Sequence, residues 1–560
     1  MDAQSVSNAV PGPRTTGTTS GRQILIGDFS PEDCDDYLAR RLVRDGESLI
    51  GPELRAVITD RSHGLPLYLD LAVMRFLELR RTGHTPAPAD FEADFPALIT
   101  RTLADLTADE RHILRSVSLF DAFDLTLATR TAGLTHQAAA ARLVERPLVR
   151  TDPFALWPYH LHALIRATLR TADDATDDRW TDADWTAAAA RALDALGEQW
   201  RAAAGPDGRL LVGCLRQGLA LARDHRLDLG WLTDAAYAYT DDYVWEPLPL
   251  PDVDGPATAA DALTDLLAAL ARRQHEHRSR TVERLTSVLD TGQLPAELAE
   301  MALYFRAKAH RDLGETAASR TGMQQVAAGG GRYAPDAARG LAHLARAVGD
   351  FLTALATAQR LGWPGRGHRV LGDIHFAHGD MAAAATAYTA ARTEAEEHGN
   401  AGERAIAQAH LALTLAFTDP TRAEGEDAYA EQLLTGLDQR ATAFTTQVAD
   451  FVRHAGRDGG DFTGCADHLR GEIAASGITS AALLLELAVV SHHAVLDDEA
   501  DVREGLARLS ALTRNGDHAY YLDIAHELAA LPLPASTSVR WTGDVDAVPA
   551  RWRALVTARR

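Results

Sequence analysis

The chain has 560 residues, 46% of them hydrophobic, 24% charged and 6% aromatic, with a formal charge of −22 at pH 7. That length exceeds a single core, and long Ala/Leu-rich tracts with few aromatics favour helices packed on helices. So acidic a surface repels phosphate backbones and anionic lipid, which excludes nucleic acid and membranes as expected partners.

Residues 1–22 lack the apolar middle of a signal peptide and are expected to be a disordered Ser/Thr/Gly/Pro leader. QILIGDF (23–29) reads as a short strand. In SPEDCDDYLARRLV, Ser30 is the expected cap, Pro31 takes the first turn, and Glu32 and Asp33 sit at the positive end of the helix dipole. Cys34, Leu38 and Leu42 mark the apolar face. A second helix is predicted over about 52–60. GLPLYLDLAVMRFLELRR (64–81) predicts a third, since Gly64 suits the bend and Pro66 the first turn. TGHTPAPAD (82–90) reads as a linker that closes a segment spanning 23–90.

A different unit is expected over 91–170. LTADERHILRSVSLF carries a capping box, Thr107 with Glu110, ahead of an apolar helix. LATRTAGLTHQAAAARLVER predicts a helix, a turn at Gly133 and a helix capped by Thr135. PLVRTD and ALWPYHL predict a hairpin across Asp152-Pro153, and three helices followed by a hairpin is winged-helix order. The acidic run that begins TADDATDD, within 171–187, reads as a solvated linker.

Residues 188–535 read as helical and internally repetitive. In RVLGDIHFAHGDMAAAATAYTAA (370–392), Leu371, Gly372, Gly379, Ala384, Tyr388 and Ala391 occupy key positions of a tetratricopeptide repeat of about 34 residues. Aligned on Gly379, the preceding segments place Gly349 with Ala342, Ala354 and Ala358, and Gly314 with Ala307 and Met323. Small residues there let paired helices approach and share one continuous core. A Pro-rich loop at 247–256 interrupts the array, and 536–560 are expected to form a C-terminal cap docked through Trp552, Leu555 and Val556. The predicted fold class is mainly α: a helical lid and winged-helix domain followed by a tetratricopeptide-like α-solenoid.

The first 170 residues resemble the later half of the nucleotide switch in STAND proteins, the NB-ARC-like class. GDFSPED resembles the junction leaving that family's nucleotide-binding core, and GLPLYL its helical-lid phrase. LHALIR (161–166) resembles its "MHD" phrase. The resemblance implies that Pro66 packs on adenine and that His162 reaches the β-phosphate of ADP. Ala163 stands where the family has an aspartate that helps hold the ADP-bound state, so the resemblance does not extend to autoinhibition.

The engine of such a switch is not legible here. A P-loop needs exposed backbone amides and a lysine on the phosphates. The one lysine among 56 basic residues, Lys308 in FRAKAHRDLG, follows no glycine loop and falls in a predicted repeat helix. No apolar strand ends in paired acids. Pro66 and His162 alone would leave nucleotide affinity near the millimolar range. No cofactor is therefore expected, with ATP or ADP bound only if a partner supplies the P-loop core.

Other chemistry is equally unsupported. HEH (275–277) lacks the zinc spacing and reads as a charged helix face, and SHHAV (491–495) is an isolated histidine pair. Cys34, Cys214 and Cys465 lie too far apart for a disulfide framework or zinc cluster. The most apolar run, AALLLELAVV at 481–490, is broken by Glu486 and falls short of a membrane span. A cytoplasmic protein is expected.

The leading expectation is a non-enzymatic regulatory scaffold: a STAND-type lid with a repeat sensor that holds a protein or peptide partner in its groove. The nucleotide-binding part would be a separate subunit. One alternative is an ATP-binding STAND ATPase whose P-loop core lies upstream of this chain. Another is a winged-helix transcription regulator, against which the acidic charge and THQAAAARLVER, poor in base-reading side chains, both weigh.

Overall fold

A computed structural model describes residues 29–91, 99–100, 103–146, 148–174, 176–203, 208–241, 258–456, 461–532 and 546–560. The expected leader, most of the QILIGDF strand and the Pro-rich loop at 247–256 lie outside them. The chain forms two compact units, Met1–Ala183 and Asp184–Arg560, both mainly helical.

In the first unit, helix α1 (Pro31–Arg41) opens with the expected capping box: the Ser30 hydroxyl accepts from the Asp33 N–H, and the Asp33 carboxylate accepts from Ser30. Cys34 and Leu38 are buried. A small hairpin follows, β1 (Val43–Arg44) and β2 (Glu47–Ser48), turning at Asp45-Gly46, both with positive φ. Helices α2 (Pro52–Ser62) and α3 (Pro66–Arg81) come next, with Pro66 at the first helical position. The Phe29 N–H donates to the Gly64 carbonyl at 2.8 Å, tying the start of α1 to the turn before α3.

Three further helices, α4 (Ala108–Val117), α5 (Leu125–Thr131) and α6 (Ala138–Val144), precede the antiparallel pair β3 (Val149–Thr151) and β4 (Tyr159–Leu161). Thr107 and Glu110 cap α4 as the sequence suggests. Thr135 does not cap α6, which starts at Ala138 in the first residue of the alanine run. Helix α7 (Ala163–Asp173) runs on from the hairpin.

The acidic run after α7 differs from the solvated linker expected. Arg115 of α4, 2% exposed, donates to Asp173 at 2.7 Å, to Asp178 at 2.9 Å and to Thr176 at 3.2 Å. Trp180, also buried, gives its backbone N–H to Asp173. A buried guanidinium must be paired, and two acids of the run, Asp173 and Asp178, are its partners, while Asp174, Asp177 and Asp182 are exposed as expected.

The second unit begins with α8 (Asp182–Ala202), α9 (Gly208–His225), α10 (Leu232–Asp241), α11 (Ala259–Arg272) and α12 (Arg278–Asp290). Helix hairpins then follow in sequence: α13 (Ala296–Asp312) with α14 (Thr316–Gly329), α15 (Ala334–Ala347) with α16 (Phe351–Leu361), and α17 (Gly367–Ala377) with α18 (Met381–Glu397). Next come α19 (Ala401–Ala416) with α20 (Pro420–Leu434), α21 (Arg440–Arg453) with α22 (Phe462–Ser476), and α23 (Thr479–Val495) with α24 (Glu499–Leu512). Helices α25 (Ala519–Leu528) and α26 (Val548–Thr557) end the chain.

The three anchor glycines stand between paired helices. Gly314, Gly349 and Gly379 each turn the chain between paired helices with φ of 78°, 81° and 71°, a conformation that side chains resist. A Cβ at Gly372 would lie 2.7 Å from the Tyr388 ring, so only glycine lets α17 and α18 approach this closely. One buried cluster runs from Ala345 to Val556. No described helix is long and apolar enough to cross a membrane.

Candidate binding site inside the helical repeats

The first helix of each hairpin turns one face inward. Tyr304, Lys308 and Arg311 lie along α13, Arg339, His343 and Arg346 along α15, and Arg369, Asp373 and Phe376 along α17. All nine line a single cavity of about 290 Å³. Each triplet has i, i+4, i+7 spacing and so occupies one helical face. The far wall comes from α21 and α23, with Gln439 and Thr442 before and within α21.

The coil of repeats returns on itself around this cavity. Asn515 donates to the Gly314 carbonyl at 3.1 Å, the His518 N–H donates to the Ala347 carbonyl at 2.5 Å, and Thr316 donates to Asp517. These contacts join the end of the array to its first hairpins.

Helix α26 packs on α25, with Arg553 paired to Glu527 at 2.5 Å, and also reaches back across the array. Trp552 is fully buried between Phe376 and Phe417, edge-on to both rings at 5.8 and 5.7 Å. Arg559 donates to the Val452 and Ala416 carbonyls and Arg560 to Ala494. Those carbonyls lie at or beside the C-terminal ends of α19, α21 and α23, where cations complement the helix dipole.

Within the cavity the ion pairs are short. Arg346 meets Asp373 at 2.5 Å while Tyr388 donates to the same carboxylate at 2.8 Å. Arg369 meets Glu403 at 2.5 Å, and Arg339 meets Asp336 at 2.5 Å. Arg278 and Arg311 share Asp312 at 3.1 and 3.0 Å. Burial alone would raise the Asp373 and Asp312 carboxyls, but Arg346 beside the first and Arg311 and Arg278 beside the second hold them below the usual range.

Three other groups, Lys308, His343 and His518, are pushed toward neutrality. Burial, then the charges of Arg273 and Arg311, drives the Lys308 amine well below its usual value. Burial and Arg369 do the same to His343, and His518 is pushed down to about 3, mainly by burial. The cavity wall holds seven Arg and Lys side chains against five Asp and Glu. In a chain of formal charge −22, basic side chains outnumber acidic ones on this wall.

Of the residues singled out by sequence, Pro66 is half-buried at the start of α3 and His162 is the N-cap of α7, its Nδ1 accepting from the Leu164 N–H at 3.3 Å. Burial, then Arg150, Arg166 and His160, lowers the His162 imidazole. Among the described residues no hydrogen bond, ring contact or shared cavity joins Pro66 to His162. HEH is not a helix face: His275 pairs with Asp438 at 3.0 Å in a turn, and His277 caps α12. His493 has Asp498 and Asp501 within 4.8 Å, a grouping common among exposed acids without an ion. Cys34 and Cys214 are buried, and burial lifts the Cys214 thiol to about 12, which makes it inert.

Sequence reasoning did not find the cavity. A signal was present: Lys308, His343 and Asp373 each stand six residues before their turn glycine, and Tyr304, Arg339 and Arg369 each stand ten before it. Polar residues repeating at those positions mark an inner face. No family model matches the chain, and no curated protein matches it.

Proposed function

We propose that the chain is a non-enzymatic regulatory scaffold whose repeat unit receives an acidic segment of a protein or peptide partner on the inner faces of α13, α15 and α17. The observation that carries this reading is the excess of basic over acidic side chains on the inner wall, seven against five, in an otherwise strongly acidic chain. Such a wall attracts negative charge and discriminates against basic segments. The first unit would act as the lid and winged-helix half of a STAND-type switch, with Pro66 and His162 meeting nucleotide only when a separate subunit brings a P-loop core. The bond from Phe29 to Gly64, which joins the GDFSPED junction to the GLPLYL lid phrase, supports that assignment.

The test is selection of a random peptide library on the immobilised full chain and on an Arg339→Glu/Arg369→Glu variant. Acidic peptides should be enriched on the wild type and lost on the variant. Enrichment without acidic bias, or equal retention by both, contradicts the reading.

A further inference from the structure

We propose that the cavity beside Lys308 is a binding site for a compact free polyanion, a small phosphate ester or di- or tricarboxylate, held by Lys308, Arg273, Arg311 and Gln439. This rests on the reading of the repeat interior as the recognition surface, and it names a ligand for the deepest part of that surface. The size of the space comes first. A cavity of about 290 Å³ corresponds to roughly ten water volumes, at the lower end of small-molecule sites. The contacts of Asn515 and His518 with the first hairpins border it, so its deepest part suits a compact group of a few heavy atoms.

Charge comes second. Asp312, whose charge also reaches Lys308, is already shared by Arg278 and Arg311, and the Lys308 Nζ lies over the Tyr304 and Phe305 rings at 5.9 and 5.8 Å. Arg273, whose charge also acts on Asp438, lies over the Phe305 ring at 5.1 Å. A half-buried amine in a cavity wall beside Arg273 and Arg311 favours a counter-anion, and burial, then those two charges, lowers its proton affinity. The third observation is a hydrogen-bond donor. Gln439 is 8% exposed, its Oε1 accepts from Thr442, and its Nε2 is buried without an acceptor. An unmade bond of that kind is costly, and a ligand oxygen in the cavity would supply the acceptor. Cationic donors and an unmet amide donor lining one cavity suit an anion with several oxygen atoms.

Because Lys308 is the sole lysine, acylation of its amine reports on the cavity without mutation. The full chain is treated with acetic anhydride alone, with citrate, with inorganic phosphate and with glycerol, and modification of residue 308 is followed by mass spectrometry. Citrate at ten times its dissociation constant should slow acylation about tenfold, since about a tenth of the sites remain open; glycerol should not. In calorimetry, Lys308→Met should weaken citrate by about tenfold or more, the loss of one charge-assisted hydrogen bond. Unchanged acylation with both anions, equal slowing by glycerol, or wild-type affinity in Lys308→Met overturns the proposal. An acidic peptide that binds wild type and Lys308→Met alike while citrate is inert also overturns it, and leaves the partner reading standing. Citrate protection with no peptide binding supports the anion site and removes the partner reading.

Discussion

Trp552 donates its indole N–H to the Ala377 carbonyl at 3.1 Å across 175 residues of chain. The bond pins α26 to the end of α17, and the indole fills the space between Phe376 and Phe417. Trp552→Ala should therefore cost about 3–5 kcal/mol, the usual range for emptying a fully buried aromatic site. Urea unfolding of the full chain checks this. A midpoint within error of wild type would mean that α26 is not part of the cooperative repeat unit.

Arg115 supplies the second prediction. It is 2% exposed and its partner Asp173 1% exposed, so Arg115→Met leaves a buried carboxylate without its cation. A loss of about 3–5 kcal/mol is expected, with faster proteolysis within 174–181. If cleavage there is unchanged, the acidic run does not depend on Arg115 for its order.

The pH dependence follows from His518, whose folded value lies near 3. Below about pH 6.5 the unfolded chain takes up a proton that the folded chain refuses. The contribution of His518 is thus complete above that pH and is lost as pH falls toward 3. Asp427, pushed up to about 7, mainly by burial, changes in the opposite sense, so the comparison is with a variant. Asparagine tolerates the left-handed backbone at this position, φ 56°. The stability of His518→Asn relative to wild type should rise as pH falls from 6.5 to 4, by at most about 1.4 kcal/mol per pH unit. A pH-independent difference contradicts this.

Lys308 should destabilise the fold at neutral pH. Its folded value is lowered, so over the interval up to about 10.4 the unfolded chain binds the extra proton, and stability rises with pH. Lys308→Met should raise the urea midpoint at pH 7, and the gain should shrink as pH approaches 10. A less stable variant at pH 7 would mean that the amine is paired in the fold.

The unit of α4, α5 and α6 with the β3–β4 hairpin is expected to be structural. Arg142, on the helix that would read DNA, instead meets Glu110 at 3.2 Å. Burial would raise the Glu110 carboxyl, but Thr107, Arg142 and Arg146 hold it low. Duplex DNA at low salt should show no binding tighter than about 10 μM by fluorescence anisotropy. Tight binding that is lost in Arg142→Ala would restore the transcription-regulator alternative.

Most helices were legible because their signals are local. Ser30 with Asp33, Thr107 with Glu110, and the turn glycines 314, 349 and 379 each act within a few residues. The β1–β2 hairpin carried its own short signal, Asp45-Gly46, which the helical context obscured. Long-range pairing was not legible. Nothing near Asp173 announces Arg115, and nothing near Asn515 announces Gly314. The cavity is made of such pairings, so its residues read in sequence as ordinary charged positions on amphipathic helices.

The most direct test of the inner wall as the recognition surface is arginine footprinting with phenylglyoxal, read by peptide mass spectrometry. The full chain is compared with and without an acidic peptide from the library selection. Modification of Arg311, Arg339 and Arg369 should slow in the complex, while Arg360 and Arg422, which do not line the cavity, should react unchanged. Protection of Arg360 and Arg422 with no change at Arg339 and Arg369 would place the partner on the outside of the repeats and contradict the account.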